Sequence, residues 1–395
     1  MARKSRFGAP SRPRVALLVE TSMASGRQIL KGIARYAREN GPWAMDHEPG
    51  HMQDLLPDWL QHWHGDGIIA RVRTSQMAAA LAKAGVPVVD VLGDWPEAEV
   101  SVVQVDSEAV GRLAAQHFLD RGFRHFGFCA IDGPRWVRQR GDAFVKRVCA
   151  AGHDCDVYQL PGRQSRAWYS ESERERLAQW VQRLRKPAAI MACNDLAGQR
   201  VLDGCRRAGV AVPEDVAVLG VDNDESLCNV SEPMLSSIIP VHDEVGYQAA
   251  GVLDRLMQGK RAPGGELLLE PTEVVVRRST DILAVDDVDL AVAMRFIRDH
   301  ACDGIGVEDV VRHVAISYST LKRRFRQFFQ RSIHEEIMRL RLERVKELLA
   351  GTGLSLAAIA RKTRFEHQEY LGAVFKAHVG MTPGQFRREN PPDVW

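Results

Sequence analysis

Along the first 280 residues, short uninterrupted apolar runs alternate with amphipathic segments. The runs are RVALLVE (14–20), DGIIAR (66–71), VPVVDVL (86–92), FGFCAI (126–131), AAIMAC (188–193) and VAVLGVD (216–222). Between them SGRQILKGIARYAREN, SEAVGRLAAQHFLDRG and NDLAGQRVLDGCRRAG repeat their apolar residues at helical spacing. Apolar runs of this length without alternation predict strands buried on both faces. Strands that alternate with helices predict parallel sheets covered by helices, a doubly wound α/β architecture. About eleven such units exceed one compact sheet, so two lobes with a cleft between them are expected.

Towards the C-terminus the period changes from strand-like to helical throughout. In ISYSTLKRRFRQFFQ (316–330), Leu321, Phe325, Phe328 and Phe329 fall at i, i+4, i+7 and i+8, which predicts one buried face. The opposite face carries Ser319, Arg323, Arg326 and Gln327, flanked by Lys322 and Arg324. A second copy follows fifty residues on: in HQEYLGAVFKAHVG, Leu371, Phe375 and Val379 repeat the apolar spacing, and Glu369, Ala373 and Lys376 face outward beside Tyr370 and Gly372. Each copy is preceded by a short helical segment, VEDVVRHVA or SLAAIARKT. Helix, tight turn and a helix with an exposed polar face is the helix-turn-helix pattern. Between the copies, Ile337, Leu340, Val345 and Leu348 predict one long connecting helix that Gly351 and Gly353 stop.

Length and charge sharpen the picture. The chain has 395 residues, 45% of them hydrophobic and 26% charged, which suits a globular protein of two or three domains. Its net charge of +2 conceals an uneven distribution: residues 312–390 hold 16 Lys and Arg against 7 Asp and Glu, and the remainder holds 37 against 44. A basic C-terminal block on an acidic body suits a polyanion partner. No run of about 18 apolar residues occurs, and the basic N-terminus leads into no secretory apolar region, so the expected location is cytoplasmic. The seven cysteines, Cys129, Cys149, Cys155, Cys193, Cys205, Cys228 and Cys302, form no CxxC pair and read as reduced thiols. His62 and His64 lack a companion carboxylate or thiol, so no metal is expected.

The strand ends carry the candidate chemistry. Asn194 and Asp195 follow one apolar run, Asp222 another, and RWVRQRGDAF, which also holds Trp136, puts Arg140 before a helix. In open α/β sheets ligands bind beside the carboxyl ends of strands. Paired donors and acceptors there suit vicinal hydroxyls, and an aromatic ring can cover the apolar face of a sugar. Taken singly, Asn194 and Asp195 also read as helix caps and Arg140 as a surface residue. No GxGxxG, GxxxxGK[ST] or GxSxG occurs, so nothing positive indicates an enzyme or a cofactor.

Two resemblances join these observations. RLRLERVKELL from Arg339, SLAAIARKTRFEHQEYLGAVFKAHVGMTPGQFR from Ser355, and Gly380, Thr382, Pro383, Phe386 and Arg387 resemble the AraC-type transcription regulators, whose DNA-binding domain has two helix-turn-helix units joined by a long helix. Ala315 and Arg364 depart from that pattern by standing where the family usually has a turn glycine. The Arg, Asn-Asp and Asp positions resemble the ligand-binding domain of the LacI family and its periplasmic relatives, which implies that Arg140, Asn194, Asp195 and Asp222 face the cleft. Pro240 stands where that family often has Gln. The fusion, with GRQILKGIARYAR, WLQHWHGDGIIA, GYQAAGVLDRL and AMRFIRDHACDGI, resembles the D-xylose operon regulators over nearly the whole chain, and by it Arg27 joins the sugar site.

The resulting expectation is an α/β two-lobed sugar-binding domain at 14–278 after a tail at 1–13, a linker at 279–288, and an all-α DNA-binding domain at 289–390. Ser319, Lys322 and Arg323 are expected to meet base edges, while Arg324, Arg326 and Arg331 meet phosphates. On the second unit His367, Gln368, Glu369 and Ala373 face DNA, and Lys376 meets phosphate. The acidic run Asp286, Asp287 and Asp289 is expected to cap the following helix. The functional expectation is an activator that binds double-stranded DNA as a homodimer, works with RNA polymerase and senses a neutral pentose, xylose first. A different sugar, repression, a sugar-modifying enzyme and a transport-type receptor are the alternatives.

Overall fold

The computed structural model describes residues 12–47, 60, 62–95, 100–261, 265–282, 284 and 287–390, and the chain divides into two compact units after Ile282. The N-terminal segment 1–11 and Asp286, both named above, lie outside the described residues.

The first unit holds two six-stranded sheets. Strands β1 (Arg14–Leu18), β2 (Ala44–His47), β3 (Gly67–Ala70), β4 (Val88–Asp90) and β5 (Ser101–Val105) belong to one. Strands β6 (His125–Ile131), β7 (Cys155–Leu160), β8 (Ala188–Ala192), β9 (Val216–Val221) and β10 (Ser236–Ile238) belong to the other. β11 (Glu266–Leu269) then returns to the first sheet and β12 (Val274–Val275) to the second. The sheet orders are β11-β5-β4-β3-β1-β2 and β12-β10-β9-β8-β6-β7, and the pairing is parallel except between β10 and β12. β8 and β9 are buried at every residue, as their unbroken apolar runs predict.

Among the described residues eight helices cover these sheets: α1 (Ala24–Asn40), α2 (Ser75–Ala82), α3 (Ser107–Leu119), α4 (Arg135–Ala150), α5 (Glu171–Arg183), α6 (Asp195–Ala208), α7 (Glu225–Val230) and α8 (His242–Met257). α1 and α8 cross so closely that a Cβ on Gly32 would sit 1.8 Å from the Asp243 carbonyl oxygen, and one on Gly246 would sit 2.0 Å from that of Ile29. The backbones can approach this far only because both residues lack a side chain.

The chain crosses between the lobes three times, after β5, after β10 and between β11 and β12. These crossings are bonded to one another. Asp106 N donates to the Leu269 carbonyl at 2.8 Å, Thr272 N to that of Ile239 at 3.1 Å, and Ile239 N to that of Glu273 at 3.0 Å. Just before Ile282 the short turn Arg278–Thr280 packs into this unit, where the Ser279 hydroxyl donates to the Val218 carbonyl at 2.6 Å.

The second unit is all helical: α9 (Val288–His300), α10 (Val307–Val314), α11 (Tyr318–Phe329), α12 (Ile333–Gly351), α13 (Leu356–Lys362), α14 (Gln368–Val379) and α15 (Pro383–Glu389). Two separate cores sit on the shared helix α12. Ile333 and Ile337 join Leu321, Phe325 and Phe329 in one, while Leu342, Val345, Leu348 and Leu349 join Leu371 and Phe375 in the other. Phe328 departs from the expected buried face: it lies at the edge of α11 and is 36% exposed, because positions four apart, Leu321, Phe325 and Phe329, take the core stripe. Gly351 closes α12 as its last residue rather than standing beyond it.

Both turns adopt the left-handed backbone the family pattern reserves for glycine, with φ of 60° at Ala315 and 54° at Arg364. Asp287 caps α9, accepting from the backbone N–H of Asp289 at 3.1 Å and of Leu290 at 3.3 Å. Among the described residues, no helix is long and apolar enough to cross a membrane.

Candidate ligand cleft and nucleic-acid interface

Between the two lobes of the first unit lies a cleft of about 960 Å³. Trp136, Arg140, Asn194 and Asp222 line it, all from the second lobe. Arg140 rises from the second turn of α4 and is only 4% exposed. It donates through Nη1 to the Cys193 carbonyl at 2.7 Å, and its guanidinium sits 4.5 Å over the Trp136 ring. Asn194 caps α6, its side-chain oxygen accepting from Ala197 N at 2.9 Å, and it lines the cleft as well, so the capping role and the cleft position coexist. Asp222 stands just beyond β9 with φ of 111°, and its Oδ1 lies 3.2 Å from His242 Nε2.

The structure does not bring Arg27 or Asp195 to the cleft wall. Arg27 is half exposed, donates to the Thr21 carbonyl at 2.7 Å and lies 3.8 Å from the Asp224 carboxylate. Asp195 is buried behind the wall, accepting from the Ser237 hydroxyl at 2.6 Å and from Asp224 N at 2.8 Å. Burial, and then the neighbouring Asp222, push its carboxyl well above the ordinary range. Gly220 makes the room, since a Cβ there would sit 2.2 Å from Asp195 Oδ1.

The backbone around the cleft is strained. Asp222, Asn223 (φ 46°) and Val241 (φ 53°) all occupy positive φ, and Val241 is β-branched. Val241 directly precedes His242, which also lines the cleft. Burial holds the His242 imidazole below its ordinary value, outweighing the opposite pull of Asp222.

Several residues that the motif reading missed come from the first lobe. Glu20, at the end of the RVALLVE run, pairs with Arg71 Nη1 at 2.5 Å and with Arg73 Nη2 at 2.7 Å. All three line the cleft. Arg71 and Arg73 stand just past DGIIA, so the strand-end argument that found Asn194 applies to them equally. With Arg135, Arg138 and Arg163 also on the wall, the cleft is richer in arginine than the Arg27 and Arg140 of the sequence reading. Much of that charge is matched: Arg135 Nη1 lies 3.4 Å from Glu266 and donates to the Gly93 carbonyl at 3.0 Å.

In the second unit, Ser319, Lys322, Arg323 and Arg326 on α11 are exposed, as are His367, Gln368, Glu369, Ala373 and Lys376 on or beside α14. Ser317 Oγ accepts from Thr320 N at 3.2 Å and fixes the start of α11. Lys322 Nζ sits 5.7 Å over the Tyr318 ring. Gln368 Nε2 donates to Glu369 Oε1 at 3.0 Å, and that bond holds the Glu369 carboxyl below its ordinary value. Two arginines expected at phosphates are engaged elsewhere. Arg324 Nη1 lies 3.0 Å from Asp289 and 3.4 Å from Asp287, and Arg331 Nε lies 2.9 Å from the fully buried carboxylate of Glu336, which also binds Arg339 at 2.8 Å.

Comparison with known proteins follows the same division. Residues 14–105 match a XylR N-terminal domain, 115–280 a periplasmic binding protein-like domain and 310–389 a helix-turn-helix domain. The xylose operon regulatory protein of Escherichia coli K12 is 33% identical over 387 residues, which cover 96% of this chain and 98% of the relative. That of Haemophilus influenzae is 29% identical over 382 residues, 95% and 98% of the two chains. A solved structure described as the xylose-binding transcription activator xylR is 31% identical, with a TM-score of 0.80 over 96% of this chain and 99% of that one. With a two-lobed cleft and paired helix-turn-helix units in one polypeptide, and similarity running through both, the chain belongs to the family of xylose operon regulatory proteins.

Proposed function

We propose that the protein is a DNA-binding transcription regulator whose effector is D-xylose and which activates a pentose-utilisation operon. The observation that carries this reading is a similarity to xylose operon regulators that covers 96% of the chain, cleft and helix-turn-helix units alike. In this reading residues 14–278 sense the sugar, 289–390 read double-stranded DNA, and the stretch between passes the signal. Trp136 offers its ring to the sugar, and Arg140, Asn194 and Asp222 supply donors and an acceptor to its hydroxyls. Sugar closes the lobes to the extent that it binds the closed state better than the open one. The same reading has the protein work in the cytoplasm as a homodimer, where an activator meets RNA polymerase.

The test is a thermal-shift screen of the full chain against pentoses, hexoses and their phosphates, since a ligand bound only by the folded protein raises its stability. D-xylose is expected to raise the melting temperature, and Asp222→Asn to remove that response. Asparagine suits the positive φ at this position, which alanine would not. A shift with a sugar phosphate and none with D-xylose, or a full response in Asp222→Asn, would sink the reading.

A further inference from the structure

The two helix-turn-helix units share α12, yet their buried cores do not merge on it. Ile333, Ile337 and Leu340 pack with the first, whereas Met338, Leu342 and Val345 pack with the second, so the apolar stripe changes sides near the middle of the helix. Arg341 stands at that change. Its guanidinium reaches to the first unit, where Nε donates to the Ala301 carbonyl at 2.6 Å and Nη2 to the Ile305 carbonyl at 3.1 Å. Ala301 ends α9, and a cation is a fitting donor to carbonyls at the close of a helix. Between the two bonded carbonyls run the short turn Ala301–Asp303 and Gly304, the latter with φ of 93°.

The other side of this turn meets the second helix-turn-helix. Arg364, the turn residue between α13 and α14, lies along Gly304, since a Cβ added to Gly304 would sit 3.8 Å from Arg364 Cγ and 4.0 Å from its Cδ. Burial lowers the proton affinity of Arg341, opposed by Cys302 of the turn and Tyr370 of α14, so the guanidinium faces both units at once. A comparable fork closes the second unit, where Arg387 on α15 donates through Nε to the Leu349 carbonyl at 3.3 Å and through Nη2 to that of Leu354 at 2.6 Å. The turn that Arg341 holds differs in bearing on the neighbouring unit as well.

We propose that Arg341 is a positioning residue for DNA reading: it clamps the 301–305 turn to α12, against the Arg364 turn, and so fixes the angle between α11 and α14. A shared helix sets the distance between the two units but lets each rock about it, and rocking changes where α11 and α14 meet successive grooves. With the seam closed, both helices are in register before DNA arrives, and the second contact follows the first without further ordering. The clamp selects the spacing between the two contacted patches, not the bases within either. The proposal rests on the reading in which α11 and α14 both meet DNA.

The experiment uses the full chain with D-xylose and double-stranded DNA selected from a random pool by the wild-type protein. Hydroxyl-radical footprinting locates the two patches that one protomer contacts. One base pair is then inserted between them, which moves the second patch by about 3.4 Å and about a tenth of a turn. The wild type should bind the inserted DNA on the order of a hundredfold more weakly, because only one helix can engage at a time. Arg341→Met keeps the length of the side chain but has no donors, and its ratio between the two DNAs should shrink to roughly tenfold or less. On DNA with one patch scrambled it should bind as the wild type does. A merely structural loss lowers every affinity alike and leaves the ratio in place, and that result overturns the proposal, as does a wild type indifferent to the insertion. A single footprinted patch in the wild type removes the two-helix reading, and the proposal with it. Should Arg341→Met not fold, Arg364→Gly, at ease in the left-handed backbone, withdraws the other side of the seam; it should narrow the ratio too, and an unchanged ratio overturns the proposal.

Discussion

Ala315 and Arg364 occupy the same place in the two helix-turn-helix units, and each holds a left-handed backbone that an L-residue adopts at a cost. Glycine at either turn is therefore expected to raise the stability of the second unit by roughly 1 kcal/mol, less what the freer unfolded chain gives back. Chemical denaturation of Ala315→Gly and Arg364→Gly checks this, and destabilisation of both would show that the turns are relaxed as they stand. The alignment of turn positions was legible in the sequence, because the apolar spacing on either side fixes where each turn must fall. The cleft was only half legible at this scale. Asn194 and Asp222 announce themselves as polar groups at strand ends, whereas Glu20, Arg71 and Arg73 follow strands just as closely but read singly as ordinary charged residues. Their meaning comes from Glu20 being shared between two arginines, a contact spanning some fifty residues of chain that no local pattern contains.

Among the elements, the interior strands β1, β3, β4, β6, β8 and β9 were legible, whereas interior β5 and β10 and the edge strands were not. β8 and β9 are sealed on both faces and so must be apolar throughout, while β2 and β7 sit at the sheet edges and alternate weakly, as AMDH and CDVYQL show. A helical wheel likewise placed the α11 arginines on a basic face but could not see Asp287 and Asp289, which reach Arg324 from the start of α9. This sorts the basic residues by what they are free to do. Arg326→Ala is expected to lower the slope of log affinity against log salt by about one unit on any DNA, while Arg324→Ala leaves it nearly unchanged. Arg323→Ala should cost roughly 1 to 3 kcal/mol on cognate DNA and far less on scrambled DNA, as for a base-reading contact. Salt-dependent titrations on both DNAs measure all three. Equal slopes lost by Arg324→Ala and Arg326→Ala would show that the acidic pair releases Arg324 to the phosphates.

At the scale of the whole molecule, the two-lobed sheet architecture and the helical C-terminal unit follow from the change of hydrophobic period, but the closing of the first unit does not. Its last residues return to the body through His117 on α3, whose Nε2 lies 3.1 Å from the Thr280 hydroxyl. Burial, helped by Arg121, holds that imidazole down at about 3, against an ordinary 6.5. The folded protein therefore keeps His117 neutral where the unfolded chain takes up a proton, so stability is full above pH ~6.5 and falls as the pH drops from there. His117→Gln, which can still reach Thr280 but does not titrate, should show a melting temperature that falls less steeply between pH 7 and pH 5. Identical slopes in the two proteins would rule the imidazole out as the source of acid sensitivity. The three crossings between the lobes have a mechanical consequence as well. A body on one tether can swing and spin, but here the third crossing is bonded to the first at one end and to the second at the other, so the three strands resist twisting together rather than singly. Tethers bonded in this way leave the lobes fewer relative arrangements than free ones would, and so less configurational entropy for a bound ligand to overcome.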